Sequence, residues 1–205
     1  MLSCGLLCLA LASASLALPA TLTARTSSSC SGLGGGAFDT AHNFTLAAYN
    51  LGASNANATG APLVLGPNGE SDGQEYKVLS TYASYPYDVD SYPSFSLNAG
   101  VLKPNPSNAS MSSTDVSVAE GSMPKFVVSS SSLSDSAPIY CAVASIDPDG
   151  GSDYPELAVN GEIDAFSLCM NGAQKNVVYK ATSENSCAYN HDSCYPVRVQ
   201  LVGLD

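Results

Sequence analysis

The sequence predicts an all-β protein, an antiparallel β-sandwich or barrel of about ten short strands. Apolar runs are short, rich in Val, Phe, Tyr, Thr and Leu, and bounded by Gly, Pro, Asn, Asp or Ser. No apolar run keeps helical spacing over about twelve residues. A Phe-x-Leu pattern also recurs, in "FTLAAYN", "FSLNAG" and "FSLCMNG", at unequal offsets. It reads either as a common strand-and-turn signature or as degenerate repeats, so a β-trefoil-like fold is the alternative.

The strands are placed in chain order. Phe44, Leu46 and Ala48 alternate within "NFTLAAY". "APLVLG", "EYKVLSTY", "SFSLN" and "GVLK" follow, then "DVSVAE", "KFVVS", "IYCAVAS", "AFSLC", "NVVYKA" and "VRVQLV". In the last, Val197, Val199 and Leu201 are expected to face the core, with Arg198 and Gln200 facing water. Pro196 is expected at that strand's first residue, where no ladder donor is needed.

The opening "MLSCGLLCLALASASLALPA" reads as a secretory signal over residues 1–17. Ser15-Leu16-Ala17 has the small-x-small form of a cleavage site, and Ala12-Ser13-Ala14 is an alternative. The apolar run is about 15 residues, short of the roughly 20 that span a bilayer. Residues 18–37 read as a flexible Ser/Gly-rich lead and residues 38–205 as a single β domain. A division near residue 110, in the serine-rich stretch, is the alternative organisation. The ending "VRVQLVGLD" predicts no lipid-anchor signal.

Charge narrows the partners. Seven Lys and Arg stand against 18 Asp and Glu, for a net charge of -11. That balance repels nucleic acid and, after signal cleavage, anionic membrane surfaces. An extracellular glycan or cell-wall component remains open. Sequons at Asn43, Asn57 and Asn108 predict N-glycosylation.

Cys4 and Cys8 leave with the signal. In an oxidising compartment the others are expected to pair. The preferred pairings are Cys187 with Cys194, closing "CAYNHDSC", and Cys141 with Cys169, joining two strands. Cys30 is then left free or available to another chain. Cys187, His191 and Cys194 also have zinc-ligand spacing, a reading that competes with the disulfide. With two histidines in all, a three-histidine metal centre is excluded.

Two stretches are candidate sites. "SIDPDGGSDYPE" places Ser145, Asp147, Asp149, Asp153 and Glu156 at the oxygen-ligand positions of a calcium loop, with Gly150 at the turn. Asp-Pro-Asp-Gly is equally a strong turn sequence. No cofactor other than calcium is implied. "STYASYPYDVDSYPSF" sets Tyr82, Tyr85, Tyr87 and Tyr92 close to Asp88 and Asp90. Aromatic faces stack on sugar rings and carboxylates accept from sugar hydroxyls, so this stretch is a candidate carbohydrate-binding surface. It reads equally as a Tyr/Pro-rich loop folded over the sheet.

G-x-S-x-G, P-loop and H-E-x-x-H motifs are absent from the sequence. A glycoside-hydrolysing carboxylate pair is a further alternative, but the sequence singles out no pair. The rhythm of signal peptide, "NFTLAAYN", "FSLNAG", a Cys-bearing central strand and a terminal "CYPVRVQLV" resembles that of small secreted proteins of uncharacterised function in filamentous fungi. The resemblance covers most of the mature chain and implies no activity or catalytic residue. The expectation is a secreted non-catalytic glycoprotein, an interaction or structural module at a cell surface or wall. The alternatives are a carbohydrate-binding module and a hydrolase.

Overall fold

The computed structural model describes residues 30–71, 74–133, 136–145 and 152–204. They form strands β1 (Ala37–Phe38), β2 (Ala41–Asn50), β3 (Ala61–Ser71), β4 (Gln74–Thr81), β5 (Ser94–Asn98), β6 (Val101–Asn105) and β7 (Ser112–Asp115). There follow β8 (Lys125–Ser129), β9 (Tyr140–Val143), β10 (Glu156–Val159), β11 (Phe166–Asn171), β12 (Gln174–Tyr179) and β13 (Asn190–Val202). The all-β expectation holds, with 13 strands in one connected sheet.

Its centre is a closed ring of antiparallel pairings: β2 with β3, β3 with β4, β4 with β12, β12 with β11, β11 with β13, and β13 back to β2. Ring closure removes the open edges that a flat sheet would expose. Three wings leave the ring. β10, β9 and β1 extend from β13, β5 and β6 from β2, and β8 and β7 from β4. β2 serves two directions because it bulges between Ala41 and Phe44, where Asn43 has φ 56°.

The ring takes β2–β4 from one end of the chain and β11–β13 from the other. That arrangement has no threefold pattern, so the β-trefoil alternative is corrected. The Phe-x-Leu echo is a packing signature. Phe44 and Leu46, Phe95 and Leu97, Phe166 and Leu168 all enter the same buried core. Each such side chain contributes about 1.5–3 kcal/mol on burial.

Val197, Val199 and Leu201 face this core as expected. Gln200 does not face water. It is 3% exposed, because the 51–60 loop and Ser152 cover it. Pro196 lies inside the long β13 rather than at its start. It falls just before the β2 ladder, which begins at the Val197–Asn50 pair, and its carbonyl accepts from Leu51 N at 3.1 Å.

The weakest seam of the ring, β4 to β12, rests on one register pair, Ser80 with Asn176. Side chains reinforce it: buried Ser80 Oγ donates to Asn176 Oδ1 at 2.7 Å. Ser84 Oγ adds a bond from Lys175 N at 2.9 Å. A polar staple inside a packed wall fixes register, since breaking it would bury an unpaired hydroxyl.

"DVSVAE" contributes only Asp115 to a strand, the last residue of β7. Asp115 is 0% exposed and accepts from Leu102 N at 3.0 Å and Ala137 N at 3.1 Å. It ties β7 to β6 and to the approach to β9. Burial pushes its carboxyl from 3.8 up to about 6, with the N–H donors restraining the rise. The folded state therefore binds the proton more tightly than the unfolded chain. Asp115's own contribution to stability is expected to fall as pH rises from about 4 through about 6, by up to about 3 kcal/mol. Asp115→Asn is expected to flatten that slope. Thermal melts of both proteins across this window test it, and parallel curves would contradict it.

Candidate functional site

The tyrosine stretch becomes the loop between β4 and β5, and a buried lysine holds it. Lys77 on β4 is 3% exposed. A buried ammonium must be paired. Its Nζ meets Glu75 Oε1 at 2.8 Å and Asp88 Oδ2 at 2.9 Å, and lies 5.5 Å from the Tyr92 ring centre. Burial works against the charge, but the two carboxylates outweigh it and hold the lysine above its ordinary range. The loop is thus pinned by Asp88 from its middle. Burial and then the Asp88 charge raise the Tyr85 hydroxyl above its ordinary range.

The loop closes one side of an apolar groove of about 220 Å³. Tyr82, Val89 and Tyr92 line it from the loop, and Thr59, Pro62 and Val202 from elsewhere in the fold. Tyr82 N donates to Pro62 O at 2.8 Å, which fixes the loop's first residue against β3. Tyr82 and Val89 keep more than a third of their surface in solvent. Of the residues that sequence proximity grouped, only Tyr82 and Tyr92 line the groove. Tyr85 and Tyr87 pack edge to face at 5.3 Å and do not line the groove. Asp88 is committed to Lys77, and Asp90 is exposed. Thr59, Pro62 and Val202 carry no sequence signal, because only the β2–β3 and β2–β13 pairings bring them here.

Of the calcium-loop residues, Asp147 and Asp149 lie outside the described residues. Ser145 precedes that segment and Asp153 is exposed after it. Glu156 is instead a wall residue opening β10, 8% exposed, with Oε1 and Oε2 3.2 and 3.1 Å from Arg198 Nη1. Asp153 and Glu156 do share a cavity. Both Glu156 oxygens are held by Arg198 Nη1.

The disulfides are Cys30–Cys141 and Cys169–Cys194, and Cys187 is free and exposed. Both expected pairings, Cys187–Cys194 and Cys141–Cys169, are corrected. The β11–β13 ladder sets Leu168 opposite Tyr195, which brings Cys169 to Cys194. Cys141 packs with Cys30 and Ala158 in a small separate cluster. Residues 30–36, expected as the end of a flexible lead, are thereby fastened to the sheet. Cys194 is spent in its disulfide, so the Cys187–His191–Cys194 zinc set is also corrected. Cys187 and His191 line a wide basin of about 490 Å³. Among the described residues no group of His, Cys, Asp and Glu gathers as a metal site.

Asn43, Asn57 and Asn108 are all exposed. Thr59 Oγ1 donates to Asn57 Oδ1 at 2.9 Å, and Ser110 Oγ to Asn108 Oδ1 at 2.8 Å. The residues proposed as signal peptide lie outside the described ones. Comparison with protein-family models, curated proteins and solved structures finds no match.

Proposed function

We propose that this protein is a secreted glycoprotein that binds a saccharide of an extracellular surface or wall in the groove between Tyr82 and Tyr92. One observation carries the reading. Two tyrosines from a loop that Asp88 pins to the buried Lys77 line an open apolar groove. Preformed, mostly apolar concavities with a few polar groups are the usual form of small-ligand sites. A pinned aromatic wall loses little freedom on binding, so more of the contact energy appears as affinity. Thr45 and Thr59 supply hydroxyls at the groove wall. Two disulfides and exposed sequons agree with an extracellular setting.

Retention on insoluble β-glucan, chitin or mannan tests the reading. Wild-type protein is expected to be held by at least one of them. Tyr82→Ala is expected to weaken that retention by about tenfold, equivalent to about 1.4 kcal/mol. Tyr87→Ala, outside the groove, is expected to leave it unchanged. No retention on any of the three, or equal retention of Tyr82→Ala, would overturn the proposal.

A further inference from the structure

Another cavity, of about 280 Å³, lies between β2, β10 and β13. The 51–60 loop separates it from the groove: Ala58 lines this pit and Thr59 lines the groove. The floor is a built polar network. Arg198 Nε donates to Asp164 Oδ1 at 2.8 Å and its Nη1 is held by Glu156. With its amide turned so that both ends are satisfied, Gln200 accepts from Ser152 Oγ at 2.7 Å and donates to the Thr59 and Ala58 carbonyls at 3.1 and 3.3 Å. That amide ties the ridge to the pit wall. Glu156 and Gln200 are each more than nine-tenths buried.

Among the described residues, Arg198 Nη2 makes no hydrogen bond and Asp153 makes no ion pair, and both residues line the cavity. The pit therefore holds a donor whose guanidinium is fixed by Glu156 and Asp164, and an exposed carboxylate acceptor at its rim. Tyr49 and the exposed Leu51 give it an apolar wall. Adjacent ring hydroxyls match this set: one accepts from a guanidinium, its neighbour donates to a carboxylate, and the ring's C–H face packs on the wall. The charges select further. Asp153, Glu156 and Asp164 outnumber the single Arg198, so an anionic ligand is repelled.

We propose that this pit is a second binding site, for a saccharide ring that carries no negative charge. It lies outside the groove and does not depend on the Tyr82–Tyr92 reading.

The test is calorimetric titration of Tyr82→Ala protein, in which the groove is disabled, with hexasaccharides of β-linked glucose, N-acetylglucosamine and mannose. At least one is expected to bind. Adding Asp153→Ala, an exposed position whose loss should not unfold the chain, is expected to weaken that binding about tenfold. A galacturonate hexamer is expected to bind at least about tenfold more weakly than the neutral sugar. Three results would overturn the pit: no binding to Tyr82→Ala, equal binding after Asp153→Ala, or equal binding of the galacturonate. If wild type binds and Tyr82→Ala does not, the groove stands and the pit falls. If Tyr82→Ala binds as well as wild type and loses binding with Asp153→Ala, the pit stands and the groove falls.

Discussion

Replacing Cys30 and Cys141 together by alanine is expected to lower stability by about 4–5 kcal/mol. The bond spans a sequence separation of 111 residues. Chain-entropy arithmetic gives about 4.8 kcal/mol for a loop of that length. Cys169–Cys194 spans 25 residues, for which the same arithmetic gives about 3.5 kcal/mol. Removing the first bond should therefore cost about 1 kcal/mol more than removing the second. It also frees residues 30–36 and the short β1 from the sheet. Urea unfolding of the two double variants measures the difference. Equal midpoints, or a larger loss for Cys169–Cys194, would contradict the assignment of Cys30 to the fold.

Gly60→Ala is the second large effect, expected to cost about 3 kcal/mol or more. Gly60 has φ 84°, where an L side chain costs about 1–2 kcal/mol. A Cβ there would also lie 2.3 Å from Ala48 O and 2.8 Å from Tyr49 Cα, both backbone atoms of β2. Overpacking against atoms that cannot rotate away adds about 1–3 kcal/mol. Gly203 is the control. It has φ 83° but nothing within 4 Å of an added Cβ, so Gly203→Ala should cost only the strain, about 1–2 kcal/mol. Thermal melts of the two variants separate strain from collision. Similar losses would show that the 51–60 loop can move away from β2. They would also weaken the view of that loop as a fixed ridge between groove and pit.

The sheet was legible where only one face of a strand meets the core. Val197, Val199 and Leu201 alternate with polar residues, and the Phe-x-Leu segments announce their own inward faces. Legibility failed where both faces are covered. Lys77 is followed in β4 by Val78 and Leu79, both buried, Val78 in a small cluster with Met123, Cys169, Val178 and Tyr189 and Leu79 in the main core. Alternation cannot mark a buried lysine there, because its partner Asp88 comes from the following loop. Gln200 is hidden for the same reason: the cover over it is tertiary. β10 was missed because four residues, Glu156–Val159, follow an acidic turn that resembles a metal loop. Disulfide choice depended on the β11–β13 register, which a loop of short sequence span does not reveal.

The site was half legible. Composition singled out the Tyr82–Tyr92 stretch, and folding then chose among its rings. Tyr82 and Tyr92 reached the groove, while Tyr85 and Tyr87 paired with each other. The groove's other wall comes from Thr59, Pro62 and Val202, far away in the chain. No local pattern carries that juxtaposition.

The most direct test of the groove is amide chemical-shift mapping of the folded protein during titration with the polysaccharide fragment that best retains it. Saturable shifts are expected at Tyr82, Val89, Thr59 and Val202, on both walls of the groove, and are expected to vanish in Tyr82→Ala. Shifts that leave these residues unmoved, or no saturable shift with any β-glucan, chitin or mannan fragment, would contradict the groove reading.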